Sequence, residues 1–429
     1  MSGTRWPTKS VDDLFVVGAG KTMSAAARAG ENKVPFLRTS NVFWDEIDLR
    51  EIDEMAIPDR ELADKLVEPG DLLVCEGGEI GRAAIWEGGP APMSFQNHLH
   101  RLRPRVDDVD PRFYVYFLQS AFTQLGIFEG AGNKTTIPNL SSGRLKALEV
   151  PHPPLAEQVA IADVLKHVQR SRRLNDRVVL TTQELKSAAM DQLFTRGLQG
   201  EAQHETDIGP IPEAWDLTEF GEVREFLQYG TSARCTVESE GYPVLRIPNI
   251  EPGRVNSAEL KYCDLEPAQA SKYLLQHGDL LFIRTNGVID RLGSCAVYEG
   301  EPRPALFASY LIRARLMDLV LPKYVAYFYG STRGTSLVGG RATPASDGKY
   351  NLNTGTIDAL PLPLPPTTAE QQEIIDVLDA LDRKINLHRR KGEVLDQLFM
   401  SLLHKLMTGE ISIDDLDLSA LPSIDGSAA

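Results

Sequence analysis

Two long proline-free stretches, Glu157–Arg196 and Glu370–Gly409, constrain this chain more than any other feature of its sequence. Each follows a pair of prolines, Pro153 and Pro154 in the first case and Pro365 and Pro366 in the second. Prolines ahead of the first turn, followed by acidic and apolar residues, mark a helix start. About 40 residues at 1.5 Å of rise make a rod of roughly 60 Å. In the second stretch apolar positions step by four and three through Ile374, Leu378, Leu381, Ile385, Leu395, Phe399, Leu402 and Leu406, with His388 and Gly392 in the middle slots. The first offers Ile161, Leu165, Val168, Val179, Ala189 and Leu193, with Arg172, Asn175, Thr182 and Lys186 in the remaining slots. A 3.5-residue repeat makes a coiled-coil seam, and two such rods in one chain most simply pair with each other.

What precedes each rod repeats as well. Pro35-Phe36-Leu37-Arg38 returns as Pro243-Val244-Leu245-Arg246, and Asn41 as Asn249. Gly70-Asp71-Leu72-Leu73 returns as Gly278-Asp279-Leu280-Leu281. Leu99, Arg101 and Arg103 return as Leu311, Arg313 and Arg315, and Asn139-Leu140 as Asn351-Leu352. The offset drifts only from about 208 to about 213 residues, so the chain is a tandem duplication. The expected fold is α+β: two similar mixed α/β heads and two long antiparallel coiled-coil helices, related by a pseudo-twofold axis. The expected boundaries are a first head over 1–153, a central helix over 154–198, a linker and second head over 199–363, a C-terminal helix over 364–411 and an acidic disordered tail over 412–429.

Composition narrows the class. The 429 residues are 42% hydrophobic and 24% charged, enough for two or more domains. No apolar run is long enough to span a membrane, and the first residues lack the apolar centre of a signal peptide. Cys75, Cys235, Cys263 and Cys295 form no CxxC pair and read as reduced thiols of a cytoplasmic protein. The net charge of −15 speaks against nucleic acid only if it is spread evenly, because DNA contact needs one locally basic face.

Catalytic signatures are missing. Val17-Gly18-Ala19-Gly20-Lys21-Thr22 imitates a phosphate loop, but Phe15 stands where its first glycine belongs, and a glycine-rich surface turn is expected there. The eight histidines fall in no metal-ligand spacing, and no GxSxG elbow occurs. His152-Pro153-Pro154-Leu155 and Leu364-Pro365-Pro366-Thr367 only mimic the adenine methyltransferase signature. No catalytic residue and no metal ligand is assigned.

Arg and Asn in matching places are the candidates for binding. Arg reads guanine bidentately and Asn reads adenine, so these types suit DNA. Recurring Arg and Asn equally serve to hold a fold or to touch phosphate. The recurring set is Arg38, Asn41, Arg101 and Arg103 with Arg246, Asn249, Arg313 and Arg315. The loops around them diverge, Glu76-Gly77-Gly78-Glu79 in one half against Arg284 to Arg291 in the other. Loops that differ on a shared frame suit readers of two different sequences, which adds Arg82, Lys134, Thr135, Arg284, Asn286, Arg291, Arg341 and Lys349. Tyr116, Phe117, Tyr327 and Phe328 read as core.

The whole pattern resembles the specificity subunit of type I restriction–modification systems. The carrying features are Gly-Asp-Leu-Leu at 70–73 and 278–281, and Glu-Gln at 157–158 and 370–371 after the paired prolines. The segment Gln192 to Leu198 with Ile208 to Trp215 resembles the family's central junction, and Leu406 to Ile411 its C-terminal rod ending. The resemblance implies two target recognition domains, each reading half of a bipartite site in double-stranded DNA, with the rods setting the spacer. It implies docking of two methyltransferase subunits and a restriction subunit, which would bring S-adenosylmethionine, ATP and Mg, while this chain binds no cofactor and has no activity. The alternative within the same reading is a specificity subunit of a methylation-only or phage-defence system without a nuclease.

Overall fold

The two Gly-Asp-Leu-Leu runs are the central strands of two sheets. A computed structural model of the chain describes residues 5–89, 92–126, 139–345 and 348–417. It divides into two units, residues 1–176 with 390–429, and residues 177–389. In the first unit, Leu72–Cys75 lies between Leu99–Pro104 and Ala83–Ile85, and Phe15–Ala19 completes an antiparallel four-stranded sheet. Leu73, Cys75, Ala84 and Leu99 face one buried cluster, while Leu72, Val74, Ala83 and Leu102 face another. A strand covered on both faces has to be apolar at every position, which is why Leu72 to Cys75 shows no alternation. The glycine before it adopts φ +94°, a left-handed turn that any other residue would strain.

The second unit repeats the arrangement. Leu280–Ile283 lies between Leu311–Leu316 and Cys295–Val297 in a six-stranded sheet that Arg224–Tyr229 begins and Gly253–Val255 and Ile250–Glu251 end. Leu281, Ile283, Ala296 and Leu311 face one cluster, and Leu280, Phe282, Cys295 and Ile312 the other. Gly278 turns at φ +90°. A smaller three-stranded sheet accompanies each, Asp53–Ala56, Lys33–Leu37 and Ser94–Phe95 in the first unit and Lys261–Cys263, Tyr242–Leu245 and Leu306–Phe307 in the second. Tyr116 and Phe117 lie in helix Pro111–Thr123 and Tyr327 and Phe328 in helix Pro322–Gly330, and all four are buried, as expected of core residues.

The two rods are helices Leu155–Arg196 and Thr368–Thr408. Within the first unit Arg172 pairs with Asp396 at 2.6 Å and its guanidinium lies 4.7 Å from the centre of the Phe399 ring. Within the second, the Lys186 ammonium contacts both oxygens of Asp382 at 2.7 Å. In each unit, therefore, a segment of one long helix meets the other in an antiparallel sense. The polar slots of the seam are matched rather than loose. Buried Asn175 lies against Gly392, where an added Cβ would come 3.1 Å from the Asn175 Nδ2, and the Thr182 hydroxyl donates to the Val178 carbonyl. The seam residues Val168, Val179, Leu381, Leu395 and Leu402 are half-buried. Ile161, Leu165, Phe399 and Leu406 are buried in the core of the first unit, and Leu193, Ile374 and Leu378 in that of the second. Ile385 is buried too.

Two sequence expectations need correction. Val17 to Ala19 is no surface turn but the end of a sheet strand. Gly20 follows because a Cβ there would sit 2.3 Å from the Gln96 carbonyl oxygen, and Gly230 meets the Ala308 carbonyl in the same way. The tail expected to be disordered from residue 412 is folded as far as 417. Ser412 caps the turn Ile413–Asp415, and Ile413 packs into the first unit's core because an apolar side chain there gains from leaving water.

Candidate nucleic-acid interface

The Glu-Gln pair fastens each long helix to its head. The Trp6 indole donates to Glu157 at 3.0 Å, and the Trp215 indole to Glu370 at 2.8 Å. The Gln158 amide oxygen accepts from the Asp110 backbone, and its nitrogen donates to the carbonyls of Asp108 and Pro153. Gln371 accepts from Leu321 and donates to Leu319. Both glutamines are buried and reach only backbone.

Most of the recurring candidates belong to the frame. Asn41 accepts from the Arg38 backbone at 2.9 Å and donates to the carbonyls of Asp48 and Glu51. Asn249 does the same with Arg246, Asn256 and Ala258. Both are buried with oxygen and nitrogen occupied, so neither amide is available to a base edge. Arg101 and Arg313 are also buried. Arg101 donates to the Leu66 carbonyl and lies over Phe95, while Arg313 donates to the Leu274 carbonyl and to Gln228 between Phe226 and Phe307. Burial lowers the pKa of both guanidinium groups. Arg103 clasps Asp71 through Nε and Nη2 at 2.8 and 2.7 Å, and Arg315 clasps Asp279 at 2.9 and 3.0 Å. Offered from sequence as DNA contacts or as fold-holding residues, these six side chains all bond within the heads: the two Asn amides and the Arg103 and Arg315 forks are occupied there, while Arg101 and Arg313 are buried with Nε left without a partner. Arg38 pairs with Asp53 at 2.9 Å and Arg246 donates to the Glu259 carbonyl, both at the half-buried surface.

The divergent candidates are placed differently. In the second unit Thr285–Asn286, Tyr350–Asn351 and Thr343–Pro344 form a small antiparallel sheet. Asn286 is paired with Tyr350, and Lys349 adjoins it. Arg284, just before the sheet, accepts at its carbonyl from the Leu352 backbone, and its guanidinium lies 4.8 Å from the centre of the Tyr229 ring. Arg291, Arg341 and Lys349 are exposed, as are the apolar or aromatic Val288, Ile289 and Tyr310. The structure thus collects Arg284, Asn286, Arg341 and Lys349 around one sheet, with Arg291 on the turn that follows it. Sequence reasoning missed Tyr229 and Tyr310, whose only signal was position beside Arg284.

In the first unit the place of Arg284 is taken by Glu76. The Glu76 carbonyl accepts from the Leu140 backbone at 2.8 Å and its N–H donates to the His98 carbonyl, as Arg284 does with Leu352 and Tyr310. Its side chain lines a cleft with Thr39, Gly77, Gly78, His98 and Asn139. Arg82 nearby is mostly covered, bound to the Thr39 carbonyl and Glu79 and lying over Phe43. Lys134 and Thr135 lie outside the described residues. Among the described residues no group of His, Cys, Asp or Glu is arranged to hold a metal ion, and no helix is long and apolar enough to cross a membrane.

Two heads with one frame, each fastened to a long helix and differing in their surface loops, define a two-module recognition protein. The sequence pattern of the type I restriction modification DNA specificity domain matches residues 4–178 and again 212–397, and the chain belongs to this family as a type I specificity subunit. It is 22% identical over 423 residues to the EcoKI type I restriction enzyme specificity subunit of Escherichia coli K12, covering 95% of this chain and 88% of that one. It is 22% identical over 357 residues to the MjaVIII specificity subunit of Methanocaldococcus jannaschii, covering 81% and 80%. Its fold is similar to the crystal structure of the S subunit of a type I restriction–modification system from M. genitalium, with a TM-score of 0.58 at 15% identity, covering 95% of this chain and 97% of that one.

Proposed function

We propose that this chain reads a bipartite target in double-stranded DNA, one half-site per head, and docks methyltransferase and restriction subunits through its long helices. The observation that carries the reading is the replacement of Glu76 by Arg284 at one place on a shared frame. A conserved scaffold function has no use for opposite charges there, whereas readers of different base pairs do. Arg donates to guanine O6 and N7, and Glu accepts from the cytosine amino group. The basic, aromatic-rich surface of Arg284, Arg291, Arg341, Lys349, Tyr229 and Tyr310 supplies phosphate contacts around the base contact. The chain acts as a non-catalytic, cytoplasmic component. Adenine methylation with S-adenosylmethionine, and cleavage with ATP and Mg, belong to the partner subunits.

Docking is supported by aliphatic side chains left outside the seam. Leu174, Val394 and Leu398 are exposed in the first unit, and Leu180, Leu185 and Leu387 in the second. Aliphatic stripes on a helix favour a partner helix that covers them.

The test is methylation-sensitive long-read sequencing of the host genome with the gene intact and deleted. Loss of one split adenine-methylated motif on deletion is the expected result. A motif that persists in the deletion strain overturns the reading.

A further inference from the structure

The second unit contains two cysteines that face each other across a strand pair. Thr236 and Tyr262 exchange both backbone hydrogen bonds, N to O at 2.9 Å and 2.7 Å, in an antiparallel bridge. The next pair outward in this register is Cys235 and Cys263, a non-hydrogen-bonded pair. Such pairs bring their Cα atoms to about 4.5 Å, the closest approach in a sheet. That lies within the roughly 4.4–6.8 Å over which a disulfide closes without moving backbone. The Cys235 thiol donates to the Ala233 carbonyl at 3.3 Å, and each thiol feels the other as an electrostatic neighbour. Cys263 is buried and Cys235 half-buried, packed in one cluster with Val244, Ala270 and Leu306. In the first unit Met55 stands at the place of Cys263, and the segment packed against it is a helix, Ala25–Ala29, that carries no thiol. The other cysteines, Cys75 and Cys295, are buried in separate clusters.

We infer that Cys235 and Cys263 form an oxidation site at which peroxide closes a cross-strand disulfide in the second head alone. In the first step the Cys235 thiolate attacks one oxygen of hydrogen peroxide. The O–O bond breaks, hydroxide leaves and takes up a proton as water, and Cys235 becomes a sulfenic acid. In the second step the Cys263 sulfur attacks that sulfenic sulfur and displaces a second water, so two thiols and one peroxide give one disulfide and two waters. Cys235 attacks first because peroxide reaches the half-buried sulfur before the buried one. Burial raises both thiols, Cys263 to about 11, while on Cys235 the neighbouring Cys263 and the charges of Arg246 and Lys261 work against that rise. Thiols held protonated in this way respond to sustained peroxide and not to weak oxidants. The bond ties the segment after strand Arg224–Tyr229 to strand Lys261–Cys263 and closes a loop of roughly 30 residues, long enough for a marked loss of unfolded-state freedom.

The experiment treats the full-length chain with hydrogen peroxide at mildly alkaline pH, blocks remaining thiols and maps peptides without reduction. The expected product is a Cys235–Cys263 linked peptide lacking two hydrogens, with Cys75 and Cys295 unmodified. A melting temperature raised by several degrees and restored by dithiothreitol should accompany it, and Cys235→Ser should abolish both changes. Two results overturn the inference. One is Cys235 accumulating as sulfinic acid beside a reduced Cys263. The other is both thiols surviving a treatment that fully oxidises free glutathione.

Discussion

Arg315 holds both oxygens of Asp279, Nε at 2.9 Å from one and Nη2 at 3.0 Å from the other, while the second of those oxygens also caps the Gln276 backbone at 2.8 Å. Asp71 is used identically by Arg103 and Glu68. The aspartate of each Gly-Asp-Leu-Leu run is thus a buried anion whose partner stands 32 or 36 residues further on, on the neighbouring strand of the sheet. Removing Arg315 leaves that anion with only the Arg313 guanidinium at 3.6 Å and the Gln276 N–H. Arg315→Ala is expected to cost about 1.5–3 kcal/mol, the worth of hydrogen bonds to a charged group, measured by denaturant unfolding. A loss no larger than that of a typical surface Arg would show the pair to be dispensable.

Asn249→Ala removes an acceptor from the Arg246 N–H and a donor from two carbonyls at a fully buried position. A cost of about 1–3 kcal/mol is expected. DNA affinity measured below the melting range should stay at the wild-type value, since the amide faces no open surface.

Glu76→Gln and Arg284→Ala address the reading itself. Selection of DNA from a randomised pool by the assembled methyltransferase should give a split motif with the parent chain. Gln bonds adenine N6 and N7 where Glu accepts from cytosine, so Glu76→Gln is expected to move one position of one half-site from cytosine to adenine. Arg284→Ala is expected to relax a position in the other half-site by about 5- to 150-fold, the equivalent of one good bidentate contact. Unchanged motifs from both variants would remove these residues from the interface.

Val394→Lys with Leu398→Lys places charge on the exposed aliphatic stripe of the first unit. Copurification of the methyltransferase subunit should fall, while the melting temperature of the isolated chain stays within a degree or two, as surface changes do. Retained copurification would move the docking site elsewhere.

Asp48, whose carbonyl serves Asn41, carries a carboxylate held down at about 2 by hydrogen bonds from the Arg50 side chain and then its backbone. A depressed folded-state pKa contributes stability that is present above the unfolded value near 3.9 and fades as pH falls through about 2. Carboxyl NMR titration should place the midpoint there, and Arg50→Ala should return it toward the ordinary carboxylate range.

The duplication, both rods and the runs that form the sheet centres were legible because each leaves a local signature: a period, a spacing, a proline pair. Roles that depend on partners remote in sequence were not. Arg101 and Arg103 recur across the halves because Leu66 and Asp71 do, and that pairing lies more than thirty positions away. From sequence alone, a recurring Arg that clasps a buried Asp looks the same as one that faces a phosphate. The Glu-Gln motif was visible as a helix opening, but its attachment to Trp6 and Trp215 was not. The exposed Leu174 and Leu387 were likewise hidden, since periodicity names the seam and leaves its flanks unassigned.

The backbone-only grip of Gln158 and Gln371 has an evolutionary consequence. A fastener that touches only carbonyls and N–H groups is blind to the side chains of the segment it holds, so mutation across the surface loops of the heads leaves it intact. Each head can then drift in what it recognises while staying registered to its rod. New specificities would arise by exchanging loop residues such as those near Glu76 and Arg284, without rebuilding the joint.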